Sequence, residues 1–256
     1  MRGAIKAMQL HVIEGYIQSL YLVEYDHGLL LLDGGCRSDV GTVLRFINTE
    51  LGRPIGDLTL VVVTHMHPDH AGAATRLRQL TGCGIATGEA GGHWYDGLEG
   101  RLMHLTDLLL ARWVAHRLKR AHRRLWYPAI LKADHYLADG QPLPGFSQWQ
   151  ALSTQGHTDR DISVWHPDSG RVYVADLMVK VKGRFIPPFP VFHPNRYRRS
   201  VERIGALQPR HVLLAHGGEV QLTEADYQYL QSKAPRCPQT HWRAVKARFQ
   251  RVWTGS

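Results

Sequence analysis

The run Leu58-Thr59-Leu60-Val61-Val62-Val63, followed at once by Thr64-His65-Met66-His67-Pro68-Asp69-His70, decides how the rest of the chain is read. The first half is apolar and rich in β-branched residues, the pattern of a strand covered on both faces. The residues after it, Ala71-Gly72-Ala73-Ala74-Thr75-Arg76-Leu77, read as the start of a helix. Three imidazoles and a carboxylate therefore sit on a strand-to-helix turn, where side chains converge in a cleft. On an extended segment, residues two apart face the same way, which aims His65 and His67 together. Asp69 and His70 turn away into the first helical turn, toward a second centre close by. One metal ion could hardly use all four from so short a stretch, whereas two adjacent ions could.

Around this turn the chain alternates strands and helices. Leu10 to Ile13, Tyr16 to Tyr25 and Leu29 to Asp33 read as strands, the last two joined by the hairpin signal Asp26-His27-Gly28. Asp33-Gly34-Gly35 ends them in a turn that needs unusual backbone angles. Residues 39–51 read as an amphipathic helix, with Val40, Val43, Leu44 and Ile47 on one side. Another helix runs to about Leu80, and Ile85-Ala86-Thr87 is a short strand. Beyond the turn region Gly140 to Gly145, strands are expected at Trp149 to Leu152, Ile162 to His166, Arg171 to Ala175 and His211 to Ala215. Helices are expected at Arg196 to Leu207 and Thr223 to Lys233, and Pro187-Pro188-Phe189-Pro190 must be a loop.

Composition narrows the class. At 256 residues and 44% apolar content, the chain can bury a large core. It is read as one domain spanning residues 1–256. No run of eighteen or more apolar residues is present, so no membrane-spanning helix is expected. The start, Met1-Arg2-Gly3-Ala4-Ile5-Lys6, lacks a long apolar h-region. Cys36, Cys83 and Cys237 are far apart and form no C-x-x-C, which suggests a reducing compartment and a cytoplasmic protein. The net charge of +9 favours anionic partners in general.

Much of that charge is local. Between Glu99 and Arg124 there are seven Lys/Arg against Glu99 and Asp107, a net of +5. Leu98, Leu102, Leu105, Leu109 and Trp113 recur every three or four residues in the same stretch, which predicts one or two helices to about Trp126. This segment, about 96–136, is read as a basic helical insertion. Its apolar stripe needs a surface to cover, so the segment is expected to wall the cleft as a lid, or to form a subunit interface in a homodimer. Its basic face reads as solvated, or as a surface for phosphates or lipid heads.

Three further stretches place a metal-ligating residue at the end of a strand: His157 in Gly156-His157-Thr158, Asp176 after Val172-Tyr173-Val174-Ala175, and His216 in His216-Gly217-Gly218. With the first cluster they make five His and two Asp, enough for two coordination spheres. In order and spacing these motifs resemble the metallo-β-lactamase superfamily over roughly residues 8–220. The resemblance implies an α/β fold, a four-layer αββα sandwich of two mixed β-sheets flanked by helices, with the site at one edge. It assigns His65, His67 and His157 to one metal, and Asp69, His70 and His216 to the other, with Asp176 bridging. Asp33 would orient the histidine turn, and Asp161 would be a further residue supporting the ligands from behind. Where many members read G-H-T-P-G-H, this chain has Gly156-His157-Thr158-Asp159-Arg160-Asp161.

Asp176 at the bridging position resembles the glyoxalase II, lactonase and ribonuclease Z branches. None of the three cysteines stands where one class of β-lactamases carries Cys, and the C-terminal glutathione-binding residues of glyoxalase II have no match. The implied cofactor is two Zn²⁺ per chain, with Fe or Mn also suited to the ligands. The implied reaction is hydrolysis by a hydroxide shared between the metals, with Asp69 as proton handler. A carboxylic ester, thioester or lactone is the favoured substrate class, carrying an apolar body or an anionic end. The alternatives are a phosphodiesterase acting on nucleic acid or phospholipid, β-lactam hydrolysis as a side activity, and a non-catalytic binding protein. Nucleic acid is disfavoured, since no aromatic stacking module accompanies the charge. Tyr127, Lys180, Lys182 and His193 are the candidate substrate contacts.

Overall fold

The computed structural model describes residues 8–240. The remainder of the expected 1–256 span lies outside the described residues. In chain order, β1 (Gln9–Glu14), β2 (Ser19–Tyr25) and β3 (Gly28–Leu32) form a meander. After it come α1 (Val40–Arg45), β4 (Leu58–Val63), α2 (Pro68–Ala71), α3 (Ala74–Thr81), β5 (Gly84–Gly88), α4 (Gly97–Arg117) and β6 (His135–Leu137). The second half contains β7 (Pro142–Leu143), β8 (Phe146–Ser153), β9 (Ile162–His166), β10 (Arg171–Tyr173), β11 (Val179–Val181) and β12 (Arg184–Ile186). It ends with α5 (Pro194–Ala206), β13 (His211–Leu214), β14 (Gly218–Val220) and α6 (Glu224–Lys233).

Two mixed six-stranded sheets result, in the orders β1-β2-β3-β4-β5-β6 and β14-β13-β10-β9-β8-β7. Their inner faces meet. Leu30, Leu32, Leu60 and Val62 pack against Phe146, Trp149, Val164, Tyr173 and Leu213. The alternate residues Leu29, Leu31, Val61 and Val63 point the other way, onto Val43, Ala74 and Leu77 of the first helical layer. On the far side, Val172, Val212 and Leu214 pack on Tyr197, Val201 and Ile204 of α5 and on Leu230 of α6. Each central strand is thus covered on both faces, which explains its unbroken apolar run. This is the expected αββα sandwich.

Several boundaries differ from the sequence reading. The strand expected from Tyr16 begins at Ser19, because Gly15 N–H donates to the Gln18 carbonyl (2.9 Å) and closes a turn first. The helix expected over 39–51 is α1 followed by a wider π-type turn, Phe46–Glu50. The 98–126 stretch is one helix, ending at Arg117, where Lys119 takes a positive φ of 54°. The segment containing α4 is the connection between the parallel strands β5 and β6, of which β6 was not foreseen. The edge strands β7 and β14 and the β11–β12 hairpin also escape a reading based on apolar runs, being short and half-exposed.

The strand ends carrying the motifs are held by close backbone approaches. Gly34 N–H donates to the His70 carbonyl (2.7 Å), and a Cβ at Gly34 would lie 2.7 Å from that oxygen. Gly156 has a φ of +152°, and a Cβ there would stand 2.4 Å from Cα of Tyr197 in α5. Only glycine lets α5 pack so tightly behind His157. Gly156→Ala should therefore cost at least about 2 kcal/mol of stability, since backbone rather than a flexible side chain must yield. Gly91→Ala, which meets nothing within 4 Å, should be near neutral. Thermal denaturation of both variants compares them, and an equal melting temperature would refute the close-approach account.

Candidate metal centre

Each ligating residue is presented by a strand end. His65 and His67 follow β4, with His67 in extended conformation (φ −63°, ψ 156°) immediately before Pro68 opens α2. Asp69 and His70 lie in that single helical turn. His157 follows β8, Asp176 lies in the short turn after β10, and His216 follows β13. All seven side chains converge in two groups. His65, His67, His157 and Asp176 form one, and Asp69, His70 and His216 form the other; within each, the candidate donor atoms lie within 4.8 Å of one another.

The outer nitrogen of most of these rings is committed to an acceptor, which leaves the inner nitrogen's lone pair facing the centre. His70 Nδ1 donates to Asp33 Oδ2 (2.7 Å), His157 Nδ1 to the Pro190 carbonyl (2.6 Å) and His216 Nδ1 to the Ile17 carbonyl (3.2 Å). His65 Nδ1 lies 3.1 Å from the Thr64 hydroxyl, whose own proton goes to Asp33 Oδ2 (2.7 Å). His67 is reversed, with Nδ1 turned inward. It stands 3.1 Å from His65 Nε2 and 2.9 Å from His157 Nε2. A single proton on His67 Nδ1 can serve only one of these two nitrogens, so at least one close pair of lone pairs remains, which a cation among them relieves. In the second group His70 Nε2 is buried without a hydrogen-bond partner, as is Asp176 Oδ1 3.4 Å away. The donor set therefore fits two adjacent metal ions.

Asp176 reaches both groups, with Oδ2 3.5 Å from His157 Nε2 and Oδ1 3.4 Å and 3.6 Å from the Nε2 atoms of His70 and His216. Asp69 Oδ2 is 3.2 Å from His216 Nε2. Electrostatics divides the site. Burial, reinforced by the neighbouring imidazoles, pushes His65 well below its ordinary value and His67 down to about 3, so both are neutral ligands. Burial alone would do the same to His70, but Asp33, Asp176 and Asp69 outweigh it and hold His70 well above its ordinary value. His216 is raised against burial by Asp176 and Asp69. Burial likewise works against Asp69 and Asp176, yet both stay below the usual carboxylate range, chiefly because of His70 and His216. The second group is thus a pocket of negative field made for positive charge.

Two carboxylates support the ligands from behind. Asp33, fully buried, takes Thr64 N–H (2.9 Å), the Thr64 hydroxyl, His70 Nδ1 and the Tyr173 hydroxyl (2.8 Å). Asp161 takes Gly156 N–H (3.0 Å), Thr158 N–H (2.6 Å) and the Thr158 hydroxyl (2.5 Å), fixing the loop that carries His157. Sequence reading missed a third support. Tyr95 donates to Asp107 Oδ2 (2.9 Å), which lies 3.7 Å from His67 Nε2, and Tyr95 and Tyr127 both hydrogen-bond to the Met66 carbonyl. Burial pushes Asp107 up to about 7. Its signal was the spacing Gly100, His104, Asp107, Ala111, Ala115, a helical face of small and polar residues that is buried in α4.

Among the ligating residues, His67, Asp69, Asp176 and His216 border an open cleft of about 600 Å³. Its other walls are Ile17, Leu110, Val114, Val179, Pro188 and Phe189. None of the four expected substrate contacts lines it. Tyr127 is buried beneath the histidine turn. Lys180 and Lys182 are exposed on the β11–β12 hairpin, and His193 precedes α5, where its N–H bonds the Gly156 carbonyl (2.9 Å). The expected lid is corrected in the same way. α4 does wall the cleft, but through Asp107, Leu110, Ala111 and Val114, while the leucine stripe faces away. Among the described residues, no Lys or Arg lines the cleft to receive an anionic substrate end.

Replacing Asp33 by Asn preserves shape but removes the charge that holds the proton on His70 Nδ1. Metal affinity should fall by about tenfold to a hundredfold, as for other partners behind metal-bound histidines. Titration of the metal-free Asp33→Asn protein with Zn²⁺ measures this, and unchanged affinity would exclude the role.

Known proteins bear on the same residues. The chain is 24% identical over 222 residues to the probable metallo-hydrolase YqjP of Bacillus subtilis (strain 168), covering 80% of this chain and 69% of that one. Among solved structures, the metallo-beta-lactamase family protein TTHA1429 from Thermus thermophilus superposes with a TM-score of 0.63 at 20% identity, covering 88% of this chain and 78% of its own. TTHA1623, solved in a di-iron-bound form, superposes with a TM-score of 0.57 at 20% identity, covering 89% and 98%. The family model of the metallo-beta-lactamase superfamily matches residues 13–216, a span that takes in all seven converging His and Asp side chains, and the chain belongs to that superfamily.

Proposed function

We propose that the protein is a binuclear metallohydrolase that cleaves a carboxylic ester, thioester or lactone with an apolar body. The observation that carries this reading is the lining of the cleft: Leu110, Val114, Ile17 and Phe189 stand beside its carboxylates and imidazoles, and among the described residues no Lys or Arg does. A phosphodiester of nucleic acid calls for Arg or Lys along its path, and the described residues of the cleft offer none. An acyl compound needs only room for its body beside the reacting carbonyl.

When bound, the metal pair, Zn²⁺ or equally Fe or Mn, supplies Lewis acidity that activates water and polarises the substrate oxygen. His65, His67 and His157 would hold one ion, and Asp69, His70 and His216 the other, with Asp176 shared. The di-iron form of TTHA1623 supports a pair of ions in a fold of this kind. Asp69 opens onto the cleft and is ionised at neutral pH, so it can take the proton of the attacking water and return it to the leaving group. Asp176, with a similarly lowered pKa, keeps its charge while the reaction proceeds. Asp107 and Tyr95 keep the His67 ring in place from the α4 side. The apolar wall orients the acyl body and keeps bulk water off that side. Asp176 in the bridging position supports placing the chain near the glyoxalase II and lactonase branch.

The reconstituted protein should hold close to two transition-metal ions per chain, one for each donor group. Elemental analysis finding none would overturn the reading. In a screen of thioesters, lactones, β-lactams and bis-p-nitrophenyl phosphate, turnover should be highest on an acyl substrate with an aliphatic chain; a preference for the phosphodiester would reverse the assignment. On the best substrate Asp69→Asn should lower kcat by about a hundredfold or more with KM little changed, because it removes both a metal ligand and the proton handler. Asp176→Ala should lose metal as well as turnover.

A further inference from the structure

We propose that the outward face of α4 docks the protein onto an anionic lipid surface. The helix has a buried face of small and polar residues and, opposite it, an exposed apolar one. Its inner side, Gly100, His104, Asp107, Ala111 and Ala115, is buried against the body of the protein. Its outer side carries Leu98, Leu102, Leu105, Leu109 and Trp113, which are 76%, 51%, 47%, 64% and 53% exposed. At 100° per residue these five fall within one narrow arc, diametrically opposite the buried face. From Leu98 to Trp113 they form a strip roughly 23 Å long. The fold has no use for them, because the inner face already fixes the helix. A continuous exposed strip of large apolar residues marks a surface that meets a partner.

Charge selects the partner. Arg101 and Arg112 border one edge of the strip, and the Arg117 guanidinium lies 4.9 Å over the Trp113 ring. Lys119 follows at the helix end. Among the described residues, none of these four cations has an ion-pair partner within 4 Å. The one acid on the exposed side is Glu99, since Asp107 is buried. A second copy of the chain is a poor match. Antiparallel two-fold packing of this face would set the Arg101/Arg112 edge against the same edge of its partner. A lipid surface matches both features: Leu and Trp enter the boundary between head groups and acyl chains, while arginines reach the phosphates. Among the described residues no helix is long and apolar enough to cross a membrane, so the contact would be peripheral. Because the same helix walls the cleft, docking would bring the cleft within about one helix diameter, on the order of 10 Å, of the lipid.

The test is flotation of the full-length protein with vesicles of phosphatidylcholine alone and of phosphatidylcholine containing about a third phosphatidylglycerol. It reads binding alone and is independent of any hydrolytic assignment. At low ionic strength the protein should float with the anionic vesicles and remain behind with the neutral ones, and added salt should weaken the association. The variant Leu105→Ser/Leu109→Ser/Trp113→Ser should not float. Arg101→Gln/Arg112→Gln should bind about thirtyfold more weakly, the change expected for two arginines near such a surface. All these residues are exposed, so circular dichroism and metal content should match the parent and show that the variants are folded. Wild-type protein that ignores anionic vesicles, or a triple serine variant that binds as well as the parent, would overturn the proposal. So would light scattering that finds a lipid-free dimer which the serine variant converts to monomer, since that result assigns the face to a second copy.

Discussion

The carboxylate of Asp33 holds the architecture and the centre together. It stands at the end of β3, receives the backbone and hydroxyl of Thr64 at the end of β4, orients His70 in α2, and accepts the hydroxyl of Tyr173 from β10 in the opposite sheet. Four donors converge on two oxygens with no access to solvent. Such bonds are strong because the interior is dry, and removing the acceptor would leave several buried donors unpaired. The geometry requires Asp33 to adopt a positive φ of 77°, a conformation that Asp tolerates better than most residues. Local backbone strain is thus spent at the point where two sheets and a metal ligand are brought into register.

From that anchor the site grows by consistent rules. Imidazoles are aimed by what their outer nitrogens touch: a carboxylate for His70, backbone carbonyls for His157 and His216, a hydroxyl for His65. The ligand loops are held in turn by the Asp161 carboxylate and by close approach of α5 at Gly156. The connection between β5 and β6 supplies the remaining wall. It brings Asp107 beside His67, and Tyr95 and Tyr127 beneath Met66. One helix therefore contributes a polar contact to the centre, an apolar wall to the cleft, and a separate apolar strip to the surface.

The layered fold was largely legible because central strands in a four-layer sandwich are covered on both faces and so write long apolar runs. Leu29 to Leu32 and Leu58 to Val63 are of this kind. Edge strands such as β14 are half-exposed and three residues long, and they leave no comparable trace. The converging residues were legible for a related reason. A buried strand ending in several His and Asp side chains has few other uses, and the order of the five motifs constrains them jointly. The residues lining the cleft were not legible. Tyr127, Lys180, Lys182 and His193 have the chemistry of substrate contacts, but the fold puts none of them on the walls.

The stripe on α4 marks where the two kinds of information part. The sequence by itself determined that a helix begins near Leu98 and that Leu98, Leu102, Leu105, Leu109 and Trp113 share one side of it, because the stripe follows a period of 3.6 residues. It likewise determined which residues can ligate metal, since that depends on side-chain chemistry and on strand ends. Which side of the helix turns inward was decided only by the tertiary structure. Gly100 lets the helix close on the Tyr95 backbone, Ala111 and Ala115 pack with Tyr16, Ile17 and Cys36, and Asp107 finds the Tyr95 hydroxyl, so the small and polar face is buried and the leucines are left outside. Apolar periodicity reports that a face is apolar; close packing against the rest of the molecule selects the face that is covered.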